Sequence, residues 1–178
     1  KSGLLYSDGS VLNAKRFEFA FQRNIDPTTA GEYASITDEI AGAPEWRAAD
    51  TAAADYDPEV FKAALGVKAS HADGADCADY EDTACNTLTL NFSKPAPYFA
   101  TIAGIWVGYP AKEENIAEGG DIWWTSSKYQ IGNGPFIWQS VEPFVKSVFV
   151  PNPNYVGAGI PSYTLEFSYI TDSAVAFE

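Results

Sequence analysis

Residues 7–17 of the chain read SDGSVLNAKRF, a stretch that predicts a tight turn followed at once by a helix. Gly9 can take positive φ, which favours a turn directly after Asp8. Asn13 is a good N-cap for a helix over residues 13–23. The apolar face of this helix consists of Ala14, Phe17, Ala20 and Phe21.

Phe19 lies on the opposite side of the same helix, among polar residues. An aromatic side chain at that position indicates a helix covered on both faces, as in a multilayered protein. We therefore expect Phe17, Phe19 and Phe21 all to be largely inaccessible to solvent.

The sequence of residues 28–66 predicts a helix, a loop and a second short helix. Thr28 or Thr29 is expected to cap a second helix. Residues 41–56 are rich in alanine, with Gly42, Pro44 and several acids, and are predicted to form a surface loop. A short helix follows, with Asp57 as its N-cap and Gly66 closing it.

Strand signals dominate the rest of the sequence. Residues 87–92 alternate cleanly, with Leu88, Leu90 and Phe92 on one side of the strand. The spacing predicts strands over residues 67–69, 87–92, 105–109, 136–141, 145–150 and 163–170, and short helices over residues 98–103 and 111–117. These elements indicate an α/β (mixed α+β) fold class, and on composition and spacing alone the chain is a soluble domain of unknown role.

The composition limits the classes of partner. The 178 residues are 46% hydrophobic and 15% aromatic, enough for a sizeable core in one domain or two small ones. The formal net charge of -13 repels nucleic acid and anionic membrane surfaces. The sequence has no apolar run long enough to span a bilayer, no signal peptide pattern at Lys1 and no methionine, so we expect a processed product or an excised piece.

The two cysteines lie in a polar insert, residues 70–86, between two predicted strands. We call this segment the cysteine insert. Cys77 and Cys85 suit an oxidising compartment and are predicted to form a disulfide, with two reduced thiols as the alternative. The insert is predicted to be a local excursion on the surface.

The residue patterns do not favour catalysis or a metal site. His71 is the only histidine, and surface exposure is its expected state. The acids of the insert are Asp73, Asp76, Asp79, Glu81 and Asp82. They lack the alternation and the fixed glycine of an EF-hand loop, so a solvated acidic face is expected, with calcium binding as the alternative.

Three tryptophans are candidates for the lining of a ligand cleft. Trp106, Trp123 and Trp124 each offer a large apolar face and one hydrogen-bond donor. The alternative is that they pack in the core, as tryptophans in an aromatic-rich chain mostly do.

Several segments, in order along the chain, resemble the bacterial extracellular solute-binding proteins of family 5, of the oligopeptide- and dipeptide-binding type. The matching segments are residues 7–17, 21–23, 26–27 and 33–35, the GVKA segment at 66–69, residues 87–91, the KPAPYF turn at 94–99, the GNGPF turn at 132–136, the NPNY segment at 152–155 and residues 163–174. The sequence departs from the family at Val156, where family members usually have tryptophan.

The resemblance implies a fold like that of the type II periplasmic binding proteins. Family members are much longer and close two lobes on a ligand. On this mapping, residues 1–118 correspond to most of a small α/β domain and residues 119–178 to part of the first-lobe sheet, so the chain is expected to be a fragment. The candidate ligand-binding residues are Trp123, Trp124, Asn133 and Gly134.

The function that the resemblance implies is binding of a solute for an ABC-type importer, with a peptide as the expected ligand. Such a receptor is a non-catalytic transport component without cofactors, located outside the cytoplasm, held near its ABC permease and anchored by a lipid. Ligands in this family include peptides, nickel chelates and oligosaccharides, and the sequence does not separate them.

Two functions from other classes remain as alternatives. A secreted hydrolase acting on polysaccharides or peptides, or its accessory binding domain, needs two carboxylates that converge in an aromatic cleft. The acids nearest Trp123 and Trp124 are Glu113, Glu114, Glu118 and Asp121. The third alternative is a module that serves only in protein interaction.

Overall fold

The structure, a computed structural model, describes residues 3–172 and Ala176. It divides into two compact units, the first formed by Asn13–Ala111 and the second by Gly3–Leu12 with the chain from Lys112 onward. The second unit is therefore discontinuous in sequence, which the sequence did not predict. The correspondence of residues 1–118 and 119–178 to two parts of longer proteins stays a prediction.

The first helix of the first unit begins where the sequence predicted. Helix α1 spans Ala14–Ile25, and the side chain of Asn13 accepts a hydrogen bond from the Lys15 backbone N–H. Every residue of α1 is buried or half-buried, as expected for a helix covered on both faces. Phe21 is buried, but Phe17 and Phe19 are only half-buried, so the prediction that all three are inaccessible is wrong in degree.

The hydrophobic core of the first unit collects side chains from well-separated parts of the sequence. Its buried members are Phe21, Ile25, Ile40, Ala43, Trp46, Leu65, Val67 and Phe99. Several shorter elements therefore depend on α1 for the burial of their apolar side chains.

The surface loop predicted over residues 41–56 is wrong, because this stretch contains the short helix α2, Ala43–Arg47. Its Trp46 is completely buried, with 0% of its surface exposed. The indole Nε1–H donates to the Tyr56 hydroxyl at 3.3 Å, and the indole ring stacks on Phe61. A segment dominated by alanine thus supplies the largest fully buried side chain.

The second predicted helix is also wrong. Two short 3-10 helices, Pro27–Thr29 and Ala34–Thr37, occupy that region. The carboxylate of Asp26, rather than a threonine, caps the first by accepting from the Thr28 N–H at 2.8 Å. Ala30 then takes a left-handed φ of 51°, which ends the helical path.

A glycine joins the next helix to the first strand. Helix α3, Pro58–Ala64, has the predicted cap, with the Asp57 carboxylate accepting from the Glu59 N–H. The φ of Gly66 lies outside the left-handed region, so this residue does not close the helix in the expected way. A Cβ on Gly66 would lie 2.4 Å from the Asn91 carbonyl oxygen, so the close approach of two backbones requires glycine.

Two antiparallel strands complete the sheet of the first unit, as the sequence predicted. Strand β1 is Val67–Ser70 and β2 is Thr87–Leu90, with Val67 opposite Leu90 and Ser70 opposite Thr87.

The predicted helical turn near residue 100 is confirmed, whereas the strand predicted after it is wrong. Helix α4 spans Phe99–Ile102, and a 3-10 helix, Trp106–Gly108, replaces the strand. A Cβ on Gly108 would lie 2.4 Å from the Ala103 carbonyl oxygen, so the chain folds back on itself too tightly for an extended strand.

The second unit contains a three-stranded antiparallel sheet in the order β3-β4-β5. The strands are Phe136–Glu142, Lys146–Pro151 and Leu165–Ser168, close to the predicted ranges. The chain enters the sheet through helix α5, Glu113–Gly119, and a 3-10 helix, Gly120–Thr125. The helix expected after Asp172 lies outside the described residues. Within the described part of the chain, no helix is both long and apolar enough to cross a membrane.

Candidate functional site

Two of the candidate ligand-binding residues lie in the 3-10 helix of the second unit. Trp124 has 59% of its surface exposed, while Trp123 is half-buried. The Gln130 side-chain amide donates to the Trp124 carbonyl at 3.0 Å, and Thr125 Oγ1 donates to the Ile122 carbonyl at 2.8 Å. These bonds fix the backbone of the short helix and leave the Trp124 ring in solvent.

The end of α5 sets the position of Trp123. A Cβ on Gly119 would lie 2.5 Å from Trp123 Cβ and 2.9 Å from the Tyr129 ring. The Asn115 side-chain amide donates to the Tyr129 carbonyl at 3.2 Å. Only a glycine at position 119 lets both aromatic residues approach the helix this closely.

The other two candidates lie in the turn before β3. Asn133 is exposed, and the Gly134 carbonyl accepts a hydrogen bond from Asn152 Nδ2 at 2.8 Å. The Asn152 N–H donates to the Pro135 carbonyl, and the Asn152 side chain is completely buried. The buried Asn152 therefore fixes the backbone of the turn, while the Asn133 side chain remains exposed to solvent.

Three of the segments quoted from the sequence meet at this turn. The Ser7 N–H donates to the Gly132 carbonyl at 2.8 Å. Asn154 Nδ2 donates to the Tyr6 carbonyl at 3.0 Å, and the Asn154 N–H donates to Asn152 Oδ1. Sequence reasoning noted these segments one by one and missed Asn152 and Asn154 as the side chains that join them.

A buried lysine anchors the first turn of the chain. Lys112 Nζ donates to Asp8 Oδ2 at 2.6 Å and to Ser10 Oγ at 2.8 Å. Burial works to raise the pKa of Asp8, but the hydrogen bonds from Lys112 and Ser10 outweigh it and lower the pKa below its ordinary value. Asp8 therefore stays ionised as the partner of Lys112.

The first unit carries its own exposed aromatic pair. The rings of Tyr33 and Trp106 meet edge to face with centroids 5.4 Å apart, and 47% and 59% of their respective surfaces are exposed. Tyr109 is exposed close by in the sequence. Trp106 was expected in a cleft or in the core, whereas Tyr33, noted only within the family resemblance, was not a candidate because no local pattern distinguishes it.

The cysteine insert contains the predicted Cys77–Cys85 disulfide. The insert is not the surface excursion that was expected, because it covers the start of α1. Asn13 Nδ2 donates to the carbonyls of Asp79 and Asp82, and the Ala14 N–H donates to the Cys85 carbonyl at 2.9 Å. The buried guanidinium of Arg16 also lies 4.0 Å above the Tyr80 ring, a cation–π arrangement.

His71 is half-buried and bound within the insert, so its expected surface exposure is wrong. Its Nε2 lies 2.7 Å from Asp82 Oδ2. The His71 hydrogen bond, followed by that from the Ala78 N–H, lowers the pKa of Asp82 to about 2. The Asp82 hydrogen bond raises the pKa of His71 above its ordinary value. The other four acids of the insert are exposed, in agreement with a solvated acidic face.

The acids on which a hydrolase would depend are engaged with lysines or exposed. Glu118 pairs with Lys128, and Glu114 lies 3.7 Å from Lys112. Glu113 and Asp121 are exposed. This arrangement gives no support to a pair of catalytic carboxylates in an aromatic cleft.

A sequence model for "Bacterial extracellular solute-binding proteins, family 5 Middle" matches residues 1–178. The chain is 27% identical over 179 residues to the dipeptide-binding protein of Lactococcus lactis subsp. cremoris (strain MG1363), covering 97% of this chain and 28% of that protein. It is 30% identical over 155 residues to the probable deoxycholate-binding periplasmic protein YgiS of Escherichia coli (strain K12), covering 87% of this chain and 25% of that protein.

The fold is similar to that of a solved oligopeptide ABC transporter substrate-binding domain from Bacillus anthracis str. Ames. The TM-score is 0.76 at 24% sequence identity, and the likeness covers 98% of this chain and 30% of that one. The chain thus has the mixed α/β fold of a corresponding part of such binding proteins. It spans under a third of the length of each of these proteins.

Proposed function

Because the chain belongs to the bacterial extracellular solute-binding proteins of family 5, we propose that it serves in a receptor that binds peptides and delivers them to an ABC importer. The observation that carries the proposal is the match of the family over the whole chain. The name of the L. lactis relative, a dipeptide-binding protein, supports peptides as the ligand class.

The receptor acts without bond chemistry. Solute-binding receptors recognise a ligand through the shape of a pocket and a few polar groups. The receptor closes around the ligand, and the importer binds the closed form. The ion-paired and exposed acids near Trp123 fit this role and give no support to hydrolysis.

We place the ligand contacts of this chain on aromatic residues and on a polar turn at its surface. In the second unit these are the exposed Trp124 and Asn133 and the half-buried Trp123 and Gly134, all held by short hydrogen-bonded turns. A tryptophan ring offers apolar area with little entropy to lose on binding, and an exposed asparagine can both donate to and accept from a peptide group. The exposed Tyr33–Trp106 pair of the first unit is a further candidate.

The receptor works outside the cytoplasm, as members of the family do. The Cys77–Cys85 disulfide fits an oxidising compartment. The finer proposal is that a lipid holds the receptor at the membrane near its permease. Incorporation of a labelled fatty acid into the full-length protein tests the anchor, and adjacent genes for a permease and an ATPase test the partnership.

Ligand binding is best tested by calorimetry on the full-length protein that carries this chain. The ligands are a mixed set of short peptides and, because one relative is named for it, deoxycholate. Peptide binding without deoxycholate binding supports the proposal. Deoxycholate binding alone, or binding of neither, contradicts the peptide assignment.

The placement of the contacts is tested with a matched pair of variants in one 3-10 helix. Trp124→Ala is expected to weaken peptide binding about tenfold, since a buried aromatic anchor contributes about 1–2 kcal/mol or more. Ile122→Ala is the control, because Ile122 is also exposed and apolar. Equal peptide affinities for the two variants would show that the peptide does not contact Trp124, and would leave the assignment of peptides as ligands unchanged.

A further inference from the structure

A group of chemically reactive side chains lies in the cysteine insert, and none of them is among the candidate ligand-binding residues. One ligand atom each from His71, Cys77 and Asp82 lies within 4.8 Å of the others. The sulfur of Cys85 is bonded to that of Cys77, so it belongs to the same group. Two sulfurs, an imidazole and a carboxylate are therefore gathered in one place.

This donor set is the type that binds zinc. Four-coordinate zinc takes thiolate sulfur at about 2.3 Å and imidazole nitrogen or carboxylate oxygen at about 2.0–2.2 Å, so its ligand atoms lie about 3.3–3.8 Å apart. The ligand atoms of His71, Cys77 and Asp82, up to 4.8 Å apart, reach that geometry after small side-chain movements, and the sulfur of Cys85 moves away from that of Cys77 once their bond is broken. The His71–Asp82 contact of 2.7 Å would open as the cation entered between the two groups.

The surroundings hold the group together from several sides. The two oxygens of Asp82 accept hydrogen bonds from the backbone N–H groups of Ala78 and Ala84. Backbone bonds of this kind orient a ligating carboxylate. The Ala14 N–H donates to the Cys85 carbonyl, which ties the same loop to the start of α1. The positions of the ligands therefore do not depend on the disulfide alone.

A cation can also reach the group. Of the four residues, His71, Cys77 and Asp82 are half-buried rather than enclosed, whereas Cys85 is buried. The neighbouring acids of the insert, Asp73 and Asp79 among them, are exposed and raise the local concentration of cations.

We propose that reduction of the Cys77–Cys85 disulfide turns this group into a site for zinc, with Cys77, Cys85, His71 and Asp82 as its ligands. In the oxidised protein the sulfurs are bonded to each other and cannot act as thiolates. The disulfide thus keeps the site closed, and a thiol or phosphine reductant opens it.

The chemistry balances in two steps. With a phosphine, the S–S bond takes two electrons and breaks, water supplies the oxygen of the phosphine oxide, and its two protons form two S–H bonds. Zinc then replaces the two thiol protons, which pass to the buffer, and the two thiolates, the imidazole and the carboxylate complete a four-coordinate site. Hard cations such as calcium prefer an all-oxygen ligand set and are not expected to bind there.

The test uses the 178-residue chain, reduced with a phosphine under argon and titrated with zinc, and with cobalt(II) as a spectroscopic probe. The reduced chain is expected to bind one equivalent and to show thiolate-to-cobalt charge transfer, while the oxidised chain shows neither. Circular dichroism of the reduced chain accompanies the titration. Unfolding on reduction overturns the proposal, because the site needs the folded insert.

Matched variants separate a built site from a pair of thiols. His71→Ala is expected to weaken zinc binding at least about tenfold. Asp82→Asn is expected to do the same, while Asp55→Asn, at an exposed acid outside the insert, should bind like the parent chain. If His71→Ala and Asp82→Asn bind zinc as tightly as the parent, the two thiols alone hold the metal and the proposal fails. It also fails if the reduced parent chain binds no zinc.

Discussion

Trp46 illustrates how a single side chain can support a segment with no pattern of its own. The residue belongs to an alanine-rich stretch, and its side chain is fully buried in the core of the first unit. Trp46→Ala is expected to lower the free energy of unfolding by about 3–5 kcal/mol, because it removes buried apolar area and leaves a cavity. Urea denaturation followed by fluorescence or circular dichroism measures the effect.

The control for this substitution is Trp124→Ala. That side chain is mostly exposed, so its loss is expected to change stability by no more than about 0.5 kcal/mol. Equal costs for the two substitutions would show that Trp46 is not part of the core.

Asp8 contributes to the response of the second unit to acid. Its folded-state pKa is lowered by Lys112 and Ser10 against the effect of burial, so its ionised form contributes stability. That contribution is fully present above the unfolded pKa of about 3.9 and is lost as the pH falls through the lower folded pKa. The stability difference between the parent chain and Asp8→Asn should be constant from about pH 5 to 7 and should shrink below about pH 4.

Urea midpoints at a series of pH values test this dependence. A difference between the two chains that widens on acidification would contradict the lowered pKa of Asp8.

At the scale of elements, α1 is the helix on which the first unit is assembled. Phe21 is buried in the core, and Phe21→Ala is expected to cost about 3–5 kcal/mol of unfolding free energy. Phe19 is half-buried, so Phe19→Ala should cost clearly less than that but more than an exposed substitution. Denaturant midpoints of the two variants rank them. An unmoved midpoint for Phe19→Ala would mean that the second face of α1 is not covered.

The cysteine insert and α1 form one structural element. Asn13 caps the helix and also donates to two carbonyls of the insert. Asn13→Ala removes the cap and leaves those carbonyls without this donor, so it is expected to destabilise the chain by about 1–3 kcal/mol. Chemical denaturation under non-reducing conditions measures the loss.

Asp57→Ala provides the comparison at another helix. The Asp57 cap of α3 is exposed and contacts its own helix, so its removal should cost about 0.5–1 kcal/mol. If the Asn13 variant were no less stable than the Asp57 variant, the insert would be independent of α1 in energy despite the hydrogen bonds between them.

At the scale of the whole molecule, the chain spans 28% of its L. lactis relative, and the resemblance to the family implies a cleft between two lobes. The 178-residue chain by itself is therefore expected to bind short peptides no more tightly than about millimolar, or roughly 4 kcal/mol. Calorimetry with the peptide set used for the full-length protein tests this. Micromolar binding by the isolated chain would show that its own residues suffice for a peptide site.

Signals carried by neighbouring residues were predictable from the sequence. The Asn13 and Asp57 caps, the alternation over residues 87–92 and the pairing of two close cysteines each depend on a few adjacent positions. The order of several short segments also identified the family, and thereby the class of function, although no one segment was decisive.

The tertiary structure decided which of those segments touch, and this the sequence did not show. Asn152 supports the Gly134 turn across 18 positions, and Asn13 meets Asp82 across 69. Trp46 is buried only because α1, α3 and β1 bring apolar side chains around it. Such contacts join residues far apart in the chain, and their energy depends on packing and on the loss of water from buried groups. A local pattern records neither of these, so the contact of the insert with α1, the buried tryptophan and the approach of His71 and Asp82 to the sulfurs emerge only when the chain is folded.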